Sequence, residues 1–132
     1  ADLSAMIAKS GADKQSGLSL IRDRLAEAIA CAEAAVSHLL ANASDHVRAV
    51  YAGSVPYLML TGYLHGGWHF ARAAMACVSA QQAGDKDPIL EDKLATAVFY
   101  AGSILPRVQS ISQGMLADVT VTAALDRASL SA

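Results

Sequence analysis

Residues 18–41 read LSLIRDRLAEAIACAEAAVSHLLA, and this stretch decides the fold class. Leu18, Ile21, Leu25, Ile29, Ala32, Val36 and Leu39, with Ala43 beyond them, recur in steps of three and four, which sets them on one face of a helix. Asp23, Glu27 and Ser37 fall elsewhere on the same helix. Alanine and leucine are also the strongest helix formers, so intrinsic preference and pattern agree. A helix with such a stripe has to bury it against other elements.

Downstream, Asn42, Ser44 and Asp45 break the run and offer N-caps for a second helix. Its opening, His46 to Gly53, leads to Pro56. Proline removes a backbone donor and crowds the preceding turn, so a kink or restart is expected there, with Ser54 as its cap. The helix then runs to Gln82 and stops near Gly84. Asp87 and Pro88 suit the start of a third long helix. Its inner face is Leu90, Leu94, Val98, Ala101, Leu105, Val108, Ile111 and Met115, and Pro106 is expected to kink it. Residues 119–122 are β-branched but have no second strand to pair with, so a short helix over 123–130 is expected instead. Upstream, residues 1–17 are crowded with Ser, Gly, Asp and Lys and read as a flexible lead-in to a bundle spanning 18–132. The expected architecture is all-α: an antiparallel helical bundle of three to four long helices, kinked at Pro56 and Pro106.

The 132 residues suffice for one domain, and 28 of them are alanine. Hydrophobic residues make up 54% of the chain, which excludes an intrinsically disordered polypeptide. A net charge of −2 without any Lys/Arg cluster argues against nucleic acid as a partner. Cys31 and Cys77 lie inside apolar helical stretches, which favours a reducing, cytoplasmic setting over a disulfide framework. Residues 49–71 contain no Asp, Glu, Lys or Arg, a length that would cross a bilayer. Ser54, Pro56, Thr61, two histidines and four glycines interrupt that stretch, so a buried helix is expected and no membrane span.

The same stretch holds the polar residues of interest. Thr61, His65, Trp68, His69 and Arg72 fall along one side of the helix and form a candidate contact surface. His65 and His69 have the four-residue spacing of paired metal ligands, but Gly66 stands where a zinc protease has its glutamate, and no metal site is expected. Glu27, Glu33 and Glu91 never precede a histidine by three residues, which excludes a carboxylate-bridged di-iron bundle. Gly62 and Gly66 have a small-xxx-small spacing that suits close helix approach. No nucleophile–base pair and no glycine-rich dinucleotide loop can be assigned, so no catalytic or cofactor-binding residue is expected.

The stretch VPYLMLTGYLHGGWHFARAA at 55–74, followed by Phe99-Tyr100-Ala101 and Ile104-Leu105-Pro106, resembles the extra C-terminal helical domain of one branch of the bacterial acyl-CoA dehydrogenases. Gly67-Trp68-x-x-Ala71-Arg72-Ala73-Ala74 is its most distinctive part, and order and spacing agree over about residues 18–118. That branch is similar to the methylmercaptopropionyl-CoA dehydrogenases. The resemblance implies a parent that binds FAD, oxidises acyl-CoA to 2-enoyl-CoA and passes electrons to electron-transfer flavoprotein. The family's catalytic carboxylate lies before this domain, and its motif has no counterpart here. This chain is therefore expected to be a non-catalytic accessory domain packed on the parent's catalytic core or a neighbouring subunit of a homo-oligomer. The alternative is a free-standing helical-bundle module for oligomerisation or binding, without catalysis.

Overall fold

A seam of small side chains organises the molecule. In the computed structural model, which describes residues 12–45 and 47–117, helix α1 (Ala12–Ala41) buries Leu18, Ile21, Ala28 and Ala35, with Leu25, Ala32 and Leu39 half-buried between them. These positions alternate steps of three and four, a 3.5-residue repeat that keeps one seam facing its neighbours. Ile29, expected in the core, sits beside that seam and is 43% exposed. Ala43 is also exposed, because α1 has ended. The physical reason for the Ile29 difference is drift. A face continued from Leu25 to Ile29 leaves the 3.5-residue seam by a fraction of a turn.

Asn42 closes α1 rather than opening the next helix: its side-chain amide donates to the His38 carbonyl at 2.8 Å. A short helix α2 (Val47–Ala52) follows, and α3 (Ser54–Gln82) begins immediately after Gly53. The helix restarts upstream of Pro56, which then lies in the first turn, where its missing N–H has no intrahelical partner to lose. Tyr57 N–H makes the early bond to the Gly53 carbonyl at 2.9 Å. Ser54 does not cap this helix; its hydroxyl donates to the Tyr51 carbonyl at 2.7 Å.

Gly84, at φ 98°, turns the chain after α3. Asp87 then accepts the Ile89 N–H at 3.0 Å as α4 (Ile89–Phe99) starts. The helix passes into a single π-helical turn, Tyr100–Ile104, where the Leu105 N–H reaches back five residues to the Tyr100 carbonyl at 2.9 Å. Pro106, with no N–H to donate, accounts for this break in the α-helical ladder. Helix α5 (residues 107–117) resumes after it.

Contacts fix the directions. Gly17 meets Val98, Gly102 meets Leu20, and the buried Ser112 hydroxyl donates to the Cys31 carbonyl at 2.9 Å, so α1 runs parallel to α4–α5. Ala74 and Val78 share a core cluster with Leu18, Ile21 and Leu94, whereas Leu60 shares one with Ala35, Val108 and Met115, so α3 runs the opposite way between them. The result is an up–down–up bundle with no strand among the described residues. One core cluster holds Leu18, Ile21, Ala71, Ala74, Val78, Leu94, Ala97 and Ala101. The other holds Ala28, Ala35, Leu60, Leu105, Val108 and Met115, and Leu25 packs against both. The expected short helix over 123–130, and residues 1–11 of the expected lead-in, lie outside the described residues.

Candidate contact surface on helix α3

Helix α3 turns Leu60, Gly67, Ala71, Ala74, Cys77 and Val78 inward. The opposite side carries Leu58, Gly62, His65, His69, Arg72 and Ala76, all exposed. Arg72 is the one Asp, Glu, Lys or Arg in the whole helix.

Of the five polar residues singled out in the sequence, Thr61 is occupied by its own helix. Its hydroxyl lies 3.0 Å from the Tyr57 carbonyl and 2.9 Å from that of Leu58. His65 Nδ1 lies 2.7 Å from the Thr61 carbonyl. A carbonyl can only accept, so Nδ1 carries the proton in this contact. Trp68 is 46% exposed. It meets His69 edge-on, ring centroids 4.8 Å apart, and the Arg72 guanidinium carbon lies 4.8 Å from the centre of its ring. Arg72 and Trp68 therefore form a cation–π pair on the surface.

His65 and Trp68 also line a groove of about 310 Å³ with Leu25, Ile29 and Leu64. Sequence reasoning did not find this groove, because its floor depends on Ile29 leaving the core of α1. Its walls are almost wholly apolar. Among the described residues His65 is its one ionisable group and no glycine-rich turn opens onto it, so this lining does not fit a flavin with its charged pyrophosphate. Among the described residues no three His, Cys, Asp or Glu side chains gather as metal ligands, and no helix is long and apolar enough to cross a membrane.

A second polar group lies between α3 and the π-helical turn. The Tyr100 hydroxyl donates to the Tyr63 carbonyl at 3.1 Å, and its ring packs on Phe70 with centroids 4.6 Å apart. Burial, and secondarily the neighbouring Tyr63, raise the Tyr100 pKa above its ordinary value of 10.0. Arg107 lies 5.8 Å from the Tyr63 ring centre. This cluster joins α3 to the π-helical turn and α5.

The family model described as acetyl-CoA dehydrogenase C-terminal like matches residues 1–126. The chain belongs to this family. Over 85 residues, 64% of the chain, it is 44% identical to 3-methylmercaptopropionyl-CoA dehydrogenase of Ruegeria pomeroyi. The matched stretch spans 14% of that dehydrogenase's length. No solved structure matches the chain. As a member of this family, the bundle is the C-terminal type of domain found in acyl-CoA dehydrogenases, as the resemblance at residues 55–74 implied.

Proposed function

We propose that the chain serves as a non-catalytic accessory domain of an FAD-dependent acyl-CoA dehydrogenase, packing on the catalytic core or a neighbouring subunit and supporting assembly of a cytoplasmic homo-oligomer. The observation that carries the reading is the pairing of family membership with a helix whose outward face is uncharged apart from Arg72. A helix face that carries one charge and leaves Leu58, Met59 and Trp68 exposed favours being covered. FAD, acyl-CoA and electron-transfer flavoprotein belong, on this reading, to the rest of the polypeptide, since the groove on this domain does not fit a flavin.

The candidate contact surface is Thr61, His65, Trp68, His69 and Arg72, with Thr61 acting through the His65 tautomer that its carbonyl selects. The test is made on the full-length gene product. Deleting the domain is expected to change the oligomeric state in analytical ultracentrifugation and to lower the yield of flavin-loaded enzyme. Arg72→Glu is expected to weaken the assembly in the same assay. Unchanged assembly, flavin content and acyl-CoA oxidation after the deletion would overturn the reading.

A further inference from the structure

We infer that the outward face of α3, centred on Gly62, docks against an apolar helix that carries a carboxylate, supplied by the dehydrogenase portion of the full-length polypeptide. The inference rests on the accessory-domain reading above and deepens it by naming the face and the chemistry of what covers it.

Three glycines stand in α3, and each lowers helix propensity by about 1 kcal/mol relative to alanine. Two are required inside the bundle. A Cβ on Gly67 would lie 2.8 Å from Leu105 Cδ1, and one on Gly66 would lie 2.9 Å from Tyr100 Cζ. Gly62 has no such reason: a Cβ there would meet nothing within 4 Å. It lies on the exposed side of the helix, among Val55 (64% exposed), Leu58 (71%) and Met59 (50%). An exposed glycine flanked by exposed aliphatic side chains is what the close approach of another backbone requires. Arg72 on this face and Met59 at its edge are also of the types enriched where proteins bind proteins.

Charge selects the partner. Arg72 faces no carboxylate among the described residues, whose ion pairs are Arg22–Asp23 and Arg24–Glu27 on α1. Helix α3 contains no Asp or Glu. Pairing this face with itself in a second copy therefore covers two guanidinium groups without an acid for either. A two-fold axis at Gly62 sets Arg72 of each copy opposite Ala52 of the other, again without an acid. A foreign helix with one acid placed against Arg72 resolves both the apolar and the charged requirement. The matched stretch spans 14% of the length of the related dehydrogenase, so most of such a polypeptide lies elsewhere and can supply that helix.

The test places a photo-crosslinking amino acid at Leu58 in the full-length protein and maps the products by mass spectrometry. The expected product joins Leu58 to a helix of the dehydrogenase portion with an Asp or Glu within one turn. Arg72→Glu should lower its yield about fivefold, and reversing the partner acid to Lys should restore it. Gly62→Leu should abolish the product while helicity by circular dichroism stays unchanged, since nothing inside the bundle meets that position. A product joining two α3 helices, a partner segment without a carboxylate, or a yield at Leu58 no higher than at exposed Gln109 would each overturn the inference. If domain deletion disrupts assembly while Leu58 crosslinks nothing, the accessory role stands and this face is wrong. If both results are negative, the accessory reading fails as well.

Discussion

Tyr100 shows how one proline sets a residue's environment. Pro106 cannot donate to the carbonyl four residues back, the turn widens, and the Leu105 N–H bonds the Tyr100 carbonyl instead. Tyr100 sits in that turn with its hydroxyl on the Tyr63 carbonyl and its ring over Gly66. Burial raises its pKa, so between 10.0 and the higher native value the folded state holds a proton that the unfolded state has lost. The contribution of Tyr100 is thus fully present below pH 10 and fades as pH rises through the native pKa. Tyr100→Phe is expected to lower stability by about 1 kcal/mol at neutral pH through the lost hydrogen bond. It should also flatten the alkaline fall measured by urea unfolding between about pH 8 and pH 11. Identical slopes for the two proteins would show that Tyr100 does not titrate with folding.

At the scale of the element, the glycines of α3 make opposite predictions from one sequence pattern. Gly62→Ala should stabilise the bundle by up to about 1 kcal/mol, because it adds helix propensity and meets nothing. Gly67→Ala should destabilise it by about 1 kcal/mol or more, because the new methyl drives into the buried Leu105. If steric crowding is the cause, Leu105→Ala will cost at least about 1 kcal/mol less in the Gly67→Ala background than in the native one. Additive effects would refute the contact. This contrast also marks what the sequence made legible. The small-xxx-small spacing located a close helix approach, but it could not tell that Gly66 and Gly67 meet α4–α5 while Gly62 faces out. The inner face of the third helix, from Leu90 to Met115, was readable residue by residue, since every position is buried or half-buried. The π-helical turn was not readable, because Pro106 announces an interruption without saying how the ladder is re-bonded. The polar side of α3 was legible as a strip; the groove beside it was not, because it depends on the seam of α1 passing through Ala28 rather than Ile29.

For the whole molecule, a core in which six of the fifteen buried hydrophobic residues described are alanine has an energetic consequence. Short side chains let three helical columns approach closely but bury little area each, so the larger buried residues carry a disproportionate share of the hydrophobic stabilisation. The largest fully buried side chains are Leu18, Leu60, Leu105, Val78 and Val108. Leu60 and Leu58 make the cleanest comparison, two residues apart on one helix. Leu60 is fully buried in the cluster with Ala28, Ala35 and Leu105, whereas Leu58 is 71% exposed. Leu60→Ala should cost about 2–5 kcal/mol, a large part of the roughly 5–15 kcal/mol that holds a domain together. Leu58→Ala should stay within about 0.5 kcal/mol in the 132-residue chain. In the full-length protein the ranking narrows if the outward face of α3 is covered, because Leu58 then loses buried contacts of its own. Urea unfolding of both variants in both contexts measures the change, and a Leu58 effect that stays near zero in the full-length protein would leave that face of the helix bare.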